Sequence, residues 1–87
     1  MATRKQKNQA WENAKKIRGK NPNLWRRDDF SNPMYKPAHG TNGEYGWEVD
    51  HKHPVSRGGS DRGDNLRALN TRVNREKGKK YPYKRKK

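Results

Sequence analysis

Apolar residues are sparse along this chain and fall into a few short patterned groups. Ala10, Trp11, Ala14 and Ile17 recur at helical spacing between Asn8, an acceptable N-cap, and Gly19, with Pro22 soon after, which predicts a helix from Asn8 with Trp11 as a core anchor. Asn23 can cap a further turn containing Leu24, Trp25, Arg26 and Arg27, ended by Asp28-Asp29 and the Ser31-Asn32-Pro33 turn. Met34-Tyr35-Lys36 suits a short extended piece edged by Pro37, and Asn42-Gly43 is a two-residue hairpin signal. The clearest pattern comes next: Trp47, Val49 and His51 alternate with Glu48, Asp50 and Lys52, as on the two faces of a strand. Residues 52–64 have loop composition, with Pro54 and Gly58-Gly59, so Leu66-Arg67-Ala68-Leu69 can return antiparallel to the first strand. Asn70 or Thr71 then caps a helix to about Lys77 with Gly78 as terminator, Val73 inward and Asn74 one turn from Lys77. The predicted class is α+β, a strand, loop, strand and helix preceded by helical turns.

Composition limits what this pattern can build. Eighty-seven residues allow one domain, and only 25% are apolar, so the core must be small. With no cysteine there is neither a disulfide framework nor a paired-cysteine zinc knuckle, and three Trp, four Tyr and one Phe are the expected substitute. No apolar run approaches a membrane span or a signal-peptide core, so the expected location is the cytoplasm.

The formal net charge of +14 is concentrated at the ends. Residues 1–20 carry seven Lys/Arg against one acid and residues 71–87 nine against one, while residues 21–70 carry seven of each. Cationic ends around a neutral centre suit a polyanion held by the ends and handled more specifically by the middle. The predicted organisation is a flexible basic arm over 1–7, a domain over 8–78 and a basic tail over 79–87. The Arg26-Arg27/Asp28-Asp29 block reads as mutual surface neutralisation, and His39 as a surface loop residue.

The strand end carries the candidate chemistry. Histidine is suited to take a proton from water near neutral pH, which points to His51. A neighbouring carboxylate and an amide oxygen from the following helix form a small hard-oxygen site of the kind Mg²⁺ prefers, here Asp50 and Asn74. Asn65 stands where it can hydrogen-bond the other ring nitrogen of His51. His53, two residues on, could assist or replace His51. Lys52, Arg67, Arg72, Arg75 and Lys77 are the candidate nucleic-acid contacts around the site, with Lys77 reaching a phosphate near the metal.

Asp50-His51, the Pro54 and Gly58-Gly59 loop, Asn65-Leu66, and Asn74 followed by a basic residue at Lys77 together resemble the HNH endonuclease family. The resemblance implies a ββα-metal core over about 45–78. It also implies roles: Asp50 and Asn74 on Mg²⁺ (Mn²⁺ or another divalent cation substituting), His51 as general base and Asn65 as a structural residue. The implied activity is hydrolysis of double-stranded DNA, by nicking or full cleavage with low sequence specificity, to 3′-hydroxyl and 5′-phosphate ends. No structural zinc is expected. Phage DNA processing or packaging, a helper protein of the packaging apparatus, and the host cytoplasm are the implied setting. The rivals are a non-catalytic basic DNA- or RNA-binding module and a ribosome-like RNA binder in which Tyr81-Pro82-Tyr83 stacks on bases.

Overall fold

A computed structural model describes residues 2–77, so the expected terminator Gly78 and the basic tail with Tyr81-Pro82-Tyr83 lie outside the described residues. The elements run α1 (Arg4–Glu12), β1 (Lys15–Lys16), β2 (Trp25–Arg27), β3 (Pro33–Tyr35), β4 (Trp47–His51), β5 (Leu66–Asn70) and α2 (Thr71–Lys77). Short 3₁₀ turns cover Lys36–Ala38, Val55–Arg57 and Gly63–Asn65. Two antiparallel sheets result, β1-β2-β3 and β4-β5.

The expected strand, loop, strand and helix is what residues 47–77 form, in the register Trp47↔Asn70 through His51↔Leu66. Each face of this hairpin meets a helix. Trp47, Leu66 and Ala68 pack with Ala10, Trp11, Ala14 and Met34, with Val49 against them. The Trp11 and Trp47 rings lie 5.1 Å apart and tilted, and each indole N–H donates to a backbone carbonyl, of Pro22 and Lys36 respectively. On the opposite face α2 covers Glu48, Asp50, Arg67 and Leu69, and Asn70 Oδ1 caps it by accepting the Arg72 N–H at 3.0 Å.

The N-terminal half departs from the predicted elements. The first helix starts at Arg4 rather than Asn8, because Thr3 and Gln6 form a reciprocal capping box, so residues 4–7 of the expected flexible arm are helical. It also ends early, at Glu12. Asn13 Nδ2 donates to the carbonyls of Gly63 and Leu66, and the Arg26 guanidinium donates to those of Glu12 and Ala14, so long-range partners take over where the next turn would have been. Trp25–Arg27 is a strand instead of a helical turn, with the Trp25 ring 4.8 Å from Tyr35 across the sheet. Asn42-Gly43 closes no hairpin: the chain leaves β3 through the Lys36–Ala38 turn, and His39 makes a parallel bridge to Trp47.

The block 26–29 is not surface neutralisation either. Arg26 is 4% exposed and pairs with Glu12, while Asp28 is 1% exposed and accepts the N–H groups of Phe30, Asn32 and Asn70. Asn70 in turn donates to the Pro33 and Glu44 carbonyls. This polar hub fixes the β5–α2 junction to the small sheet.

Candidate active site

A cavity of about 510 Å³ lies along β4, lined by Glu48, Val49 and His51 of that strand. Gln6, His39, Glu48, His51, Asp61 and Asn74 bring the polar side chains of its wall. Glu48 and Asn74 come from the α2 face of the hairpin and His51 from the α1 face, so the cavity gathers groups that strand alternation alone would keep apart.

His51 sits at the end of β4 with its Nε2 2.7 Å from Asp61 Oδ1. An ionised carboxylate only accepts, so Nε2 carries the hydrogen and Nδ1 keeps the lone pair of the neutral ring. The partner of the ring is thus Asp61, not Asn65 as the spacing suggested. Asn65 instead staples the loop. Its Oδ1 accepts the His53 N–H at 2.9 Å, and its Nδ2 donates to the His53 carbonyl at 3.0 Å and the Ser60 carbonyl at 2.6 Å. Holding Ser60 places its neighbour Asp61 beside His51, so Asn65 reaches the imidazole through the backbone.

The glycines of that loop have a steric reason. Gly58 has φ +89°, in the left-handed region, and a Cβ on Gly59 would fall 1.7 Å from the His53 carbonyl oxygen. The chain can turn tightly beneath His53 only with glycine there. His53 itself lines a different cavity, with Gly58, Gly59 and Asn65, and does not share the wall with His51.

Asp50 and Asn74 are on the same side of the hairpin but have different partners. Asp50 is 8% exposed; its Oδ2 accepts from Arg67 Nε and its Oδ1 from Lys77 Nζ, both at 2.9 Å. Arg67 continues to Asp29 at 3.2 Å and lies over the Phe30 ring. Asp50 does not line the cavity. Asn74 does, and its Nδ2 donates to Glu48 Oε1 at 3.0 Å.

Lys77, expected to reach a phosphate, is 3% exposed and spent on Asp50, since a buried ammonium needs a countercharge. Of the other basic candidates Arg67 is mostly covered, Arg75 hydrogen-bonds Asn42, and Arg72, Arg75 and Lys52 are exposed. His39, read as a surface residue, is partly buried with its ring 4.7 Å from Trp47, and burial with the Lys7 charge holds its pKa below the ordinary value. Glu48, Asp61 and His39 had gone unassigned to the site. Only the alternation that put Glu48 beside Asp50 hinted at one of them.

The donor chemistry fits a hard divalent cation. Asn74 brings an amide oxygen to a wall made electronegative by the Glu48 and Asp61 carboxylates, with room for water and a phosphate. Among the described residues no group of three or more His, Cys, Asp or Glu side chains could hold a metal ion, so a cation here would rest on few protein ligands. No helix among them is long and apolar enough to cross a membrane.

No curated protein and no solved structure matches the chain. A family model described as HNH endonuclease matches residues 36–80, just over half of the chain, from the turn before His39 through the hairpin and past α2. With that span matched and the hairpin-and-helix core in place, the chain belongs to the HNH endonuclease family.

Proposed function

We propose that this protein is a divalent-metal-dependent endonuclease that hydrolyses duplex DNA with little sequence preference. The observation that carries the reading is the His51–Asp61 pair in the same cavity as Asn74, at the end of β4 and within the span the family model matches. In this reading His51 Nδ1 takes the proton from the attacking water, and Asp61 holds the ring in the tautomer that leaves this atom free and stabilises the imidazolium that forms. The Asn74 amide oxygen and the Asp50 carboxylate would hold the cation, Mg²⁺ or Mn²⁺. Bound there, the cation neutralises charge on the phosphoryl oxygens. Asp50, the carboxylate that the family pattern assigns to the metal, reaches it only by sharing its oxygens with Lys77 or Arg67 or exchanging them.

Arg4, Lys5, Lys15 and Lys16 are exposed cations that supply backbone attraction without reading bases. Products would carry 3′-hydroxyl and 5′-phosphate ends, as the family resemblance implies. The test is cleavage of supercoiled plasmid with Mg²⁺, with Mn²⁺ and with chelator. Metal-dependent nicking or linearisation that His51→Ala abolishes supports the proposal; tight DNA binding with no cutting under any metal would identify a binding module instead.

A further inference from the structure

Glu48 belongs to no motif residue set, yet it is the side chain that meets Asn74. An amide has two chemically opposite ends of nearly equal shape, and it can serve a cation only through its oxygen. Whatever fixes the NH₂ end therefore decides whether the oxygen is presented. In this structure Asn74 Nδ2 donates to Glu48 Oε1 at 3.0 Å, and both residues line the cavity that contains His51. Glu48 is half-buried, and it pairs across the sheet with the fully buried Leu69, so the strand carrying it cannot shift to release the contact.

We infer that Glu48 is a positioning residue of the cation site: its carboxylate holds the Asn74 NH₂ so that the Asn74 oxygen faces the divalent ion. This rests on the proposed metal-dependent reading and names a residue it does not otherwise use. The carboxylate acts as a hydrogen-bond acceptor toward Asn74, a role for which a neutral acceptor of the same length suffices. Partners of this kind typically change metal affinity by about 10–100-fold when removed.

The experiment is Mn²⁺ binding to the full chain, read by electron paramagnetic resonance of the free ion, on wild type, Glu48→Gln, Glu48→Ala, Asn74→Ala and the double variant Glu48→Ala/Asn74→Ala. Plasmid cleavage is measured on each, and thermal melting confirms folding. Glu48→Gln should stay within about threefold of wild type, because its amide oxygen still accepts. Glu48→Ala should lose about 10–100-fold in Mn²⁺ affinity, with a matching loss of cleavage at limiting metal. In the Asn74→Ala background, Glu48→Ala should have no further effect, since it acts through the amide.

A Glu48→Gln variant as weak as Glu48→Ala would mean that Glu48 ligates the ion itself and would overturn the inference. So would additive losses in the double variant, or a Glu48→Ala protein that binds and cuts like wild type; in each case the nuclease reading stands, because wild type still binds metal and cuts. A wild-type protein that neither binds Mn²⁺ nor cuts removes that reading, and the inference with it.

Discussion

His51, Asp61 and Asp50 show how differently three polar residues can be employed within a short stretch. If His51 Nδ1 is the base, His51→Ala should lower single-turnover cleavage by roughly 10²–10⁴-fold with duplex binding kept, and Asp61→Ala should lower it less, with Asp61→Glu restoring part. Unchanged cleavage in His51→Ala would move the base elsewhere. Asp50→Ala should act first on stability, because it takes the countercharge from the buried Lys77 and leaves Arg67 only Asp29, at a cost of about 3–5 kcal/mol in urea unfolding. A variant that loses cleavage while its unfolding midpoint is unchanged would instead make Asp50 a residue of the chemistry alone. The order of residues made Asp50, His51, Asn65 and Asn74 legible as candidates, since their spacing is a property of the chain. Their partners were not. Whether Asn65 touches the His51 ring or the loop backbone depends on the path of residues 52–64, and a sequence does not encode that path in a period.

At the scale of elements, the hairpin and α2 were legible because alternation and capping repeat over several residues. The N-terminal elements were not, because α1 is ended by Arg26 and Asn13, whose partners are distant in sequence. A local reading extends the helix to Gly19 for want of those contacts. The earlier start has a measurable consequence. Thr3→Ala removes a cap whose loss costs typically about 1 kcal/mol, and deleting residues 1–7 removes the first turn of the helix that covers Trp47, so it should destabilise the protein rather than trim a tail. A truncated protein with an unshifted melting temperature would return these residues to the status of a free arm. Replacing Arg4 and Lys5 by Gln leaves the cap in place and tests only charge. Each phosphate contact so lost should flatten the slope of log affinity against log salt by about 0.9 on duplex DNA.

For the whole molecule, His39 ties stability to pH. Burial, and then Lys7, hold its pKa below 6.5, with Glu48 opposing. As pH falls the unfolded chain therefore binds the proton first. The contribution is complete above about 6.5 and is lost progressively as pH drops from there toward the lower folded value, so the urea midpoint should fall over that interval and His39→Asn should flatten it. A midpoint that rises on acidification through the same window would contradict the sign.

Asp28 reaches further still. This one carboxylate, 1% exposed, accepts from Phe30 and Asn32 in the turn of the small sheet and from Asn70 where β5 passes into α2, while Trp11 packs on Trp47 from the other side. The stretch that carries the family signature, residues 36–80, leaves out both Trp11 and Asp28. It is therefore not a portable cassette: moved alone into another protein it would bring every residue of the proposed chemistry and expose the indole and the amide that those two partners cover. Recombination could exchange this domain only as a whole, and a designer choosing where to cut a fusion should look ahead of Thr3.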